Sequence, residues 1–248
     1  MSLRALLVTS QVTFVPNNYD DLIIGLAKCP QVAGLLVLQN AEAKLSAKAI
    51  GIIAMGGKQV GATLLRNLHG RSNERRRAAF GAEDKPVFEL AQINGAEALA
   101  LVREYSYDLI VNARTRFIYK RQILEAPRLG CINVHHGLLP EQRGTMCDLW
   151  ALYEKLPAGF SVHQMSRKID DGGIISCTQV SDGNDRNYVE YLQRSARMEA
   201  KVVADILADI DARNEITCTP NRAPAGLQHR RNPTWEQMRE IRRSGLRI

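Results

Sequence analysis

Short apolar runs alternate with helix-like segments along the first 135 residues, and this alternation constrains the fold more than any other feature. "LRALLVTS" (3–10), "VAGLLVLQ" (32–39), "PVFELAQ" (86–92), "YDLIVNA" (107–113) and "GCINVH" (130–135) read as strands. Between them stand "NNYDDLIIGLAKCP" (17–30), a mostly helical stretch from Ala41 to Gly70 broken by two glycines, "GAEALALVREY" (95–105) and "KRQILEA" (120–126). Runs that are apolar throughout suit strands covered on both faces. Strand–helix alternation then implies an α/β fold: a Rossmann-like, mostly parallel sheet flanked by helices. Beyond residue 184 the texture changes. Residues 186–212 read as one long amphipathic helix, and residues 219–248 as a basic, proline-punctuated segment ending in a short helix. The expected organisation is one domain over 1–184 and a helical, irregular C-terminal tail over 185–248 packed on it.

Several function classes fall away on composition. No apolar run approaches the roughly 20 residues of a membrane span. "MSLRALLVTSQVTF" reads as a first strand rather than a signal peptide, lacking a small-residue cleavage site. The five cysteines are odd in number and show no C-x-x-C spacing. That argues for reduced thiols in the cytoplasm. The net charge of +7 favours acidic partners. Four arginines crowd into "RSNERRRAAF" (71–80), and seven more lie in the last 27 residues. Either cluster reads as a solvated face or as a phosphate contact, because charge alone names only the partner's sign.

Familiar phosphate motifs are absent. "MGGKQVGAT" lacks the first glycine of a phosphate loop, and Gln59 follows Lys58 where Ser or Thr is needed. No G-x-G-x-x-G follows the first strand. Cys131, His135, His136 and His163 match no standard zinc spacing, so no metal is expected.

The informative stretch is "NVHHGLLPEQRG" (133–144), which begins on a strand and ends where the chain surfaces. Read on through "TMCDLWALYEKLPAGFSVHQMSRKIDDGGIIS", it resembles the family of formyltransferases that use 10-formyltetrahydrofolate. The shared pattern is Asn133-x-His135, Leu138 to Pro140, Arg143-Gly144, the helix bearing Trp150, Gly159 to His163, and Asp170-x-Gly172. The likeness is good over about residues 86–182, loose over 1–85 and slight in the tail. It implies that residues 1–184 form the catalytic domain and that Asn133, His135 and Asp170 carry the chemistry. Amide and imidazole N–H groups suit a developing oxyanion, and imidazole exchanges protons near neutrality. The resemblance also places donor contacts at Arg114, Arg116, Phe117, Ile118, Leu139 and Lys168, with the arginines reaching the folate's glutamate carboxylates. Phe117 reads equally well as plain core. Asp171 reads as a turn former. Cys147 replaces a common proline, and His136 and Gly137 stand at variable positions on the substrate side.

The acceptor is reached only by elimination. "TSQVTFVPNNYDD" lacks the phosphate loop of glycinamide ribonucleotide enzymes. Too few residues follow position 184 for the barrel domain of methionyl-tRNA enzymes. A small amine remains, above all an amino sugar on a nucleotide. A 10-formyltetrahydrofolate hydrolase, a transferase for an amino acid or peptide amine, and a nucleic-acid-binding protein on the same fold are the alternatives. Nucleic acid is the least favoured partner, and a homodimer is compatible with the sequence. If the acceptor carries a diphosphate, Arg71, Arg75, Arg76 and Arg77, or Arg230 and Arg231, should face it.

Overall fold

A computed structural model describes residues 2–41 and 43–248. Seven strands form one sheet in the order β3-β2-β1-β4-β5-β6-β7. Strands β1 (Ala5–Ser10), β2 (Val32–Leu38), β3 (Val87–Leu90), β4 (Leu109–Ala113) and β5 (Cys131–His135) run parallel. β6 (Ala158–Gln164) and β7 (Ile174–Ser181) join antiparallel. All six residues of β1 are buried, the polar Thr9 and Ser10 at its end as well as the four apolar ones. The strand order reverses between β1 and β4, so ligands gather outside the carboxyl ends near that point. Asn133 and His135 end β5 on that side.

Alternate strand residues face two cores. Leu7, Leu35 and Val111 point into the larger one, with α1 (Asp20–Ile23), α7 (Cys147–Tyr153) and α8 (Tyr188–Arg213); Leu6, Leu36 and Ile110 point into the smaller, against α5 (Ala96–Glu104) and α6 (Arg121–Leu124). Asn187 caps α8 by accepting from the amides of Val189 and Glu190. Met238, Ile241, Leu246 and Ile248 also enter the larger core, so residues 185–248 complete it.

Two elements differ from the sequence expectation. The 17–30 helix is reduced to a single turn over Asp20–Ile23, behind a 3-10 turn over Pro16–Tyr19. Asn17, Asn18 and Tyr19 all have positive φ, and the Asn18 side chain bonds Thr13 N and Gln11 O instead of supporting a helix. The double glycine does separate α2 (Ala43–Ala54) from α3 (Lys58–His69), with Gly56 at φ +95. The arginine run, assigned no element from sequence, forms helix α4 (Ser72–Gly81).

Candidate active site

Register brings three polar side chains into a row across the sheet. Asn112 on β4 pairs with Asn133 on β5, and Asn133 with His163 on β6. Asn112 Nδ2 donates to Asn133 Oδ1 at 2.9 Å, and Asn133 Nδ2 lies 3.1 Å from His163 Nε2. His135, two residues along the same face, donates from Nε2 to the Gln142 carbonyl at 2.6 Å. Its Nδ1 stands 3.5 Å from Asp170 Oδ1. Asp170 sits in a left-handed turn at φ +52, and its Oδ2 accepts from Gly144 N at 2.9 Å. Burial, then neighbouring His135, pulls the His163 pKa down to about 4. Asn133, His135 and Asp170 are therefore brought together. His163, named from sequence only as a motif position, joins them, and so does Asn112, which the sequence did not single out. Asn112 left one signal, a polar residue inside the apolar run "LIVNA".

The family model described as formyl transferase matches residues 33–207, well over half of the chain. The chain belongs to the formyl transferase family. A methionyl-tRNA formyltransferase of Kosmotoga olearia is 29% identical over 136 residues, covering 54% of this chain and 43% of that protein. One from Listeria monocytogenes is 31% identical over 153 residues, covering 61% and 48%. The chain thus matches about half the length of these relatives. Among solved structures, a sugar N-formyltransferase from a Shewanella species superposes with a TM-score of 0.54 at 18% identity, covering 98% of this chain and 87% of that one. A phosphoribosylglycinamide formyltransferase from Bacillus halodurans superposes with a TM-score of 0.60 at 17% identity, covering 86% and 97%. These likenesses establish the fold.

The residues expected at a formyl transferase's donor site divide into two groups. Arg116 and Lys168 are exposed, Ile118 is 67% exposed, and Phe117 is half-buried against the smaller core. Arg114 and Leu139 do not fit the expectation. Leu139 is 4% exposed, and its N–H donates to Ser161 Oγ, so its side chain belongs to the interior. Arg114, at φ +57, turns its guanidinium away into a buried ionic cluster. Its Nε donates to His136 Nε2, its Nη2 stands 3.6 Å from Asp148 Oδ2, and its charge lies over the Tyr19 ring. Glu199 of α8 accepts from Tyr19 and Ser195 in the same cluster. Burial raises the pKa of both Asp148 and Glu199, against the opposing pull of Arg114. Two buried carboxylates explain why this arginine leaves the surface. Among the described residues, no group of three His, Cys, Asp or Glu side chains is placed to hold a metal, and no helix is long and apolar enough to cross a membrane.

The expected arginine contacts also separate. Arg76 is fully buried, bonded to Asp20 Oδ1, Ser10 O and Asn18 O. Arg75 pairs with Asp20, Arg77 with Glu89, and Arg71 with Glu74. Arg76 is thus structural and cannot meet a ligand. Arg230, itself paired with Glu154 at 2.6 Å, and Arg231 line a cavity of about 1120 Å³ with Gln142, Cys147, Trp150 and Leu227. Gln142 connects this cavity to the site through its carbonyl bond to His135.

The tail also straps the loops that carry Gly144 and Asp170. Asn221 Nδ2 donates to the carbonyls of Asp170 and Gly172 at 3.0 and 2.9 Å, while its Oδ1 accepts from buried Arg143 at 2.7 Å. Arg143 also pairs with Asp171 at 2.9 Å, so Asp171 shapes the turn from outside. Arg230 pairs with Gly144 as a β-bridge. Asn221→Ala is expected to cost about 1–3 kcal/mol of stability by leaving buried polar groups unmatched. It should also lower turnover by about tenfold through a displaced Asp170. Denaturant unfolding and steady-state rates check both effects. Stability loss with unchanged turnover would show that Asn221 matters only to folding.

Proposed function

We propose that the chain is an N-formyltransferase that moves a formyl group from 10-formyltetrahydrofolate to a primary amine. The convergence of Asn133, His135 and Asp170 carries this reading. The donor supplies an activated formyl carbonyl. The acceptor nitrogen bonds to the formyl carbon, the bond from that carbon to the folate nitrogen breaks, and the proton lost by the amine ends on the folate nitrogen. Asn133 offers an amide N–H to the oxyanion. His135 and Asp170 steady the proton in transit. A covalent enzyme intermediate is not needed. Cys147, packed beside Gly137, is held as a thiol because burial and the carboxylates of Asp148 and Asp170 raise its pKa.

Side chains near the site suit a folate donor. Ile118 and Ile169 are large apolar residues left 67% and 54% exposed. Phe117 and Met165, from the same two loops, rest on one core. Arg116 lies close enough to Lys48 to lower its pKa, after burial, and two neighbouring cations attract carboxylates.

For the acceptor, the finer reading is an amino sugar on a nucleotide, with Arg230 and Arg231 toward its phosphates. The supporting observation is their place on the cavity that adjoins Gln142. The test is an amine panel with 10-formyltetrahydrofolate, reading mass gains of one formyl group. The panel includes nucleotide-linked amino sugars, small amines and, given the names of the sequence relatives, methionyl-tRNA. Formylated sugar is the expected product, and replacing Arg230 and Arg231 with Gln should raise its KM about tenfold. Formate release without any formylated amine would instead establish hydrolysis.

A further inference from the structure

We infer that Asn112 is a positioning residue that fixes which end of the Asn133 amide meets each neighbour, leaving one Nδ2–H as the free donor. This rests on the proposed role of Asn133. The polarity follows from the two ends of the row. At one end, His163 Nδ1 lies 2.7 Å from the Gln164 carbonyl, which can only accept, so Nδ1 carries the proton. The pKa of about 4 keeps His163 neutral, and its Nε2 is then a bare lone pair. Only the NH₂ end of Asn133 can bond it, at 3.1 Å. At the other end, Asn112 Oδ1 accepts from Thr115 Oγ1 at 2.8 Å, Thr115 N at 3.3 Å and Tyr119 OH at 3.4 Å. That fixes Asn112 with its NH₂ toward Asn133 Oδ1. Asn133 is thus oriented twice, by an acceptor on β6 and a donor on β4. A reversed amide would set oxygen against the His163 lone pair and NH₂ against NH₂. Among the described residues, the second Asn133 N–H has no protein partner, so it is the one available for an oxyanion.

The decisive variant is Asn112→Asp. It keeps shape and keeps an acceptor for Thr115 and Tyr119, but an ionised carboxylate cannot donate to Asn133 Oδ1. Two readouts are needed. ¹⁵N NMR of His163 without substrate reports whether Nε2 still accepts a hydrogen bond. Steady-state rates report catalysis. The expected result is a changed Nε2 signal and a kcat lowered by about tenfold or more, with both KM values nearly unchanged. The deficit relative to the parent chain should shrink from about pH 8 to about pH 5, because burial at position 112, 6% exposed, raises the pKa of the new carboxyl above the ordinary value of about 4, and once protonated it can donate again. Asn112→Leu, which cannot regain a donor, should show no such recovery. An unchanged His163 signal, or an N112D-to-parent rate ratio that stays flat with pH, overturns the inference. If the parent chain formylates no amine but the His163 signal changes as described, the orientation by Asn112 stands and the transferase reading alone falls.

Discussion

Asp170→Asn and His135→Ala are each expected to lower turnover by about 10² or more while the chain stays folded. The asparagine retains an oxygen for Gly144 N, so the left-handed turn at 170 keeps its main support. It loses the negative charge 3.5 Å from His135 Nδ1. Removing His135 takes away the imidazole itself. It also leaves the Gln142 carbonyl without its donor, so a fall of about 1–3 kcal/mol in stability accompanies that change. Rates with 10-formyltetrahydrofolate and an accepted amine, beside thermal melts, separate the two effects. Near-normal turnover in both variants would remove the chemical assignment of this site.

The largest effect on stability is expected at Arg76. Its side chain is fully buried and bonds a carboxylate and two carbonyls. Arg76→Met should cost about 3–5 kcal/mol, because Asp20 keeps its charge in the interior while losing its buried partner. Arg75, half-exposed, compensates only in part through its bonds to Asp20. Replacing Asp20 with Asn in the same chain should recover part of the loss. Arg77→Gln, at an exposed pair with Glu89, should change stability by less than about 0.5 kcal/mol. Urea unfolding of these variants measures the differences. If Arg76→Met unfolds at the same urea concentration as the parent, the buried pair does not support the fold.

What the sequence made legible depended on how close in the chain the cooperating residues lie. The strands of the parallel part were readable because each is a short, mostly apolar run between helix-like segments. That Asn133, His135 and Asp170 lie together was readable because their motifs are compact and end on strands or turns. Arg76 was not, since its partner Asp20 is 56 positions away and a polar run gives no sign of burial. Asn221 lies 51 positions from the Asp170 carbonyl it holds, in a segment whose composition suggests only a tail. Arg114 misled for a different reason. Its position in the loop after β4 was read correctly, but a positive φ and two buried carboxylates redirect its side chain.

The strap formed by residues 219–231 has a consequence for how such chains can be recombined. Arg230 N donates to Arg143 O at 2.8 Å, and Thr145 N donates back to Arg230 O at 2.9 Å, which fixes Gly144 between them. The Gly144 amide then holds the carboxylate of Asp170, and Asn221 holds its carbonyl. The segment that follows α8 is therefore not a module that can be exchanged without altering the candidate site. A graft from another protein would have to rebuild both the backbone pairing at 144 and the amide clamp at 170. Without them, the transplanted chain would keep its sheet and lose the alignment of the Asp170 carboxylate with His135.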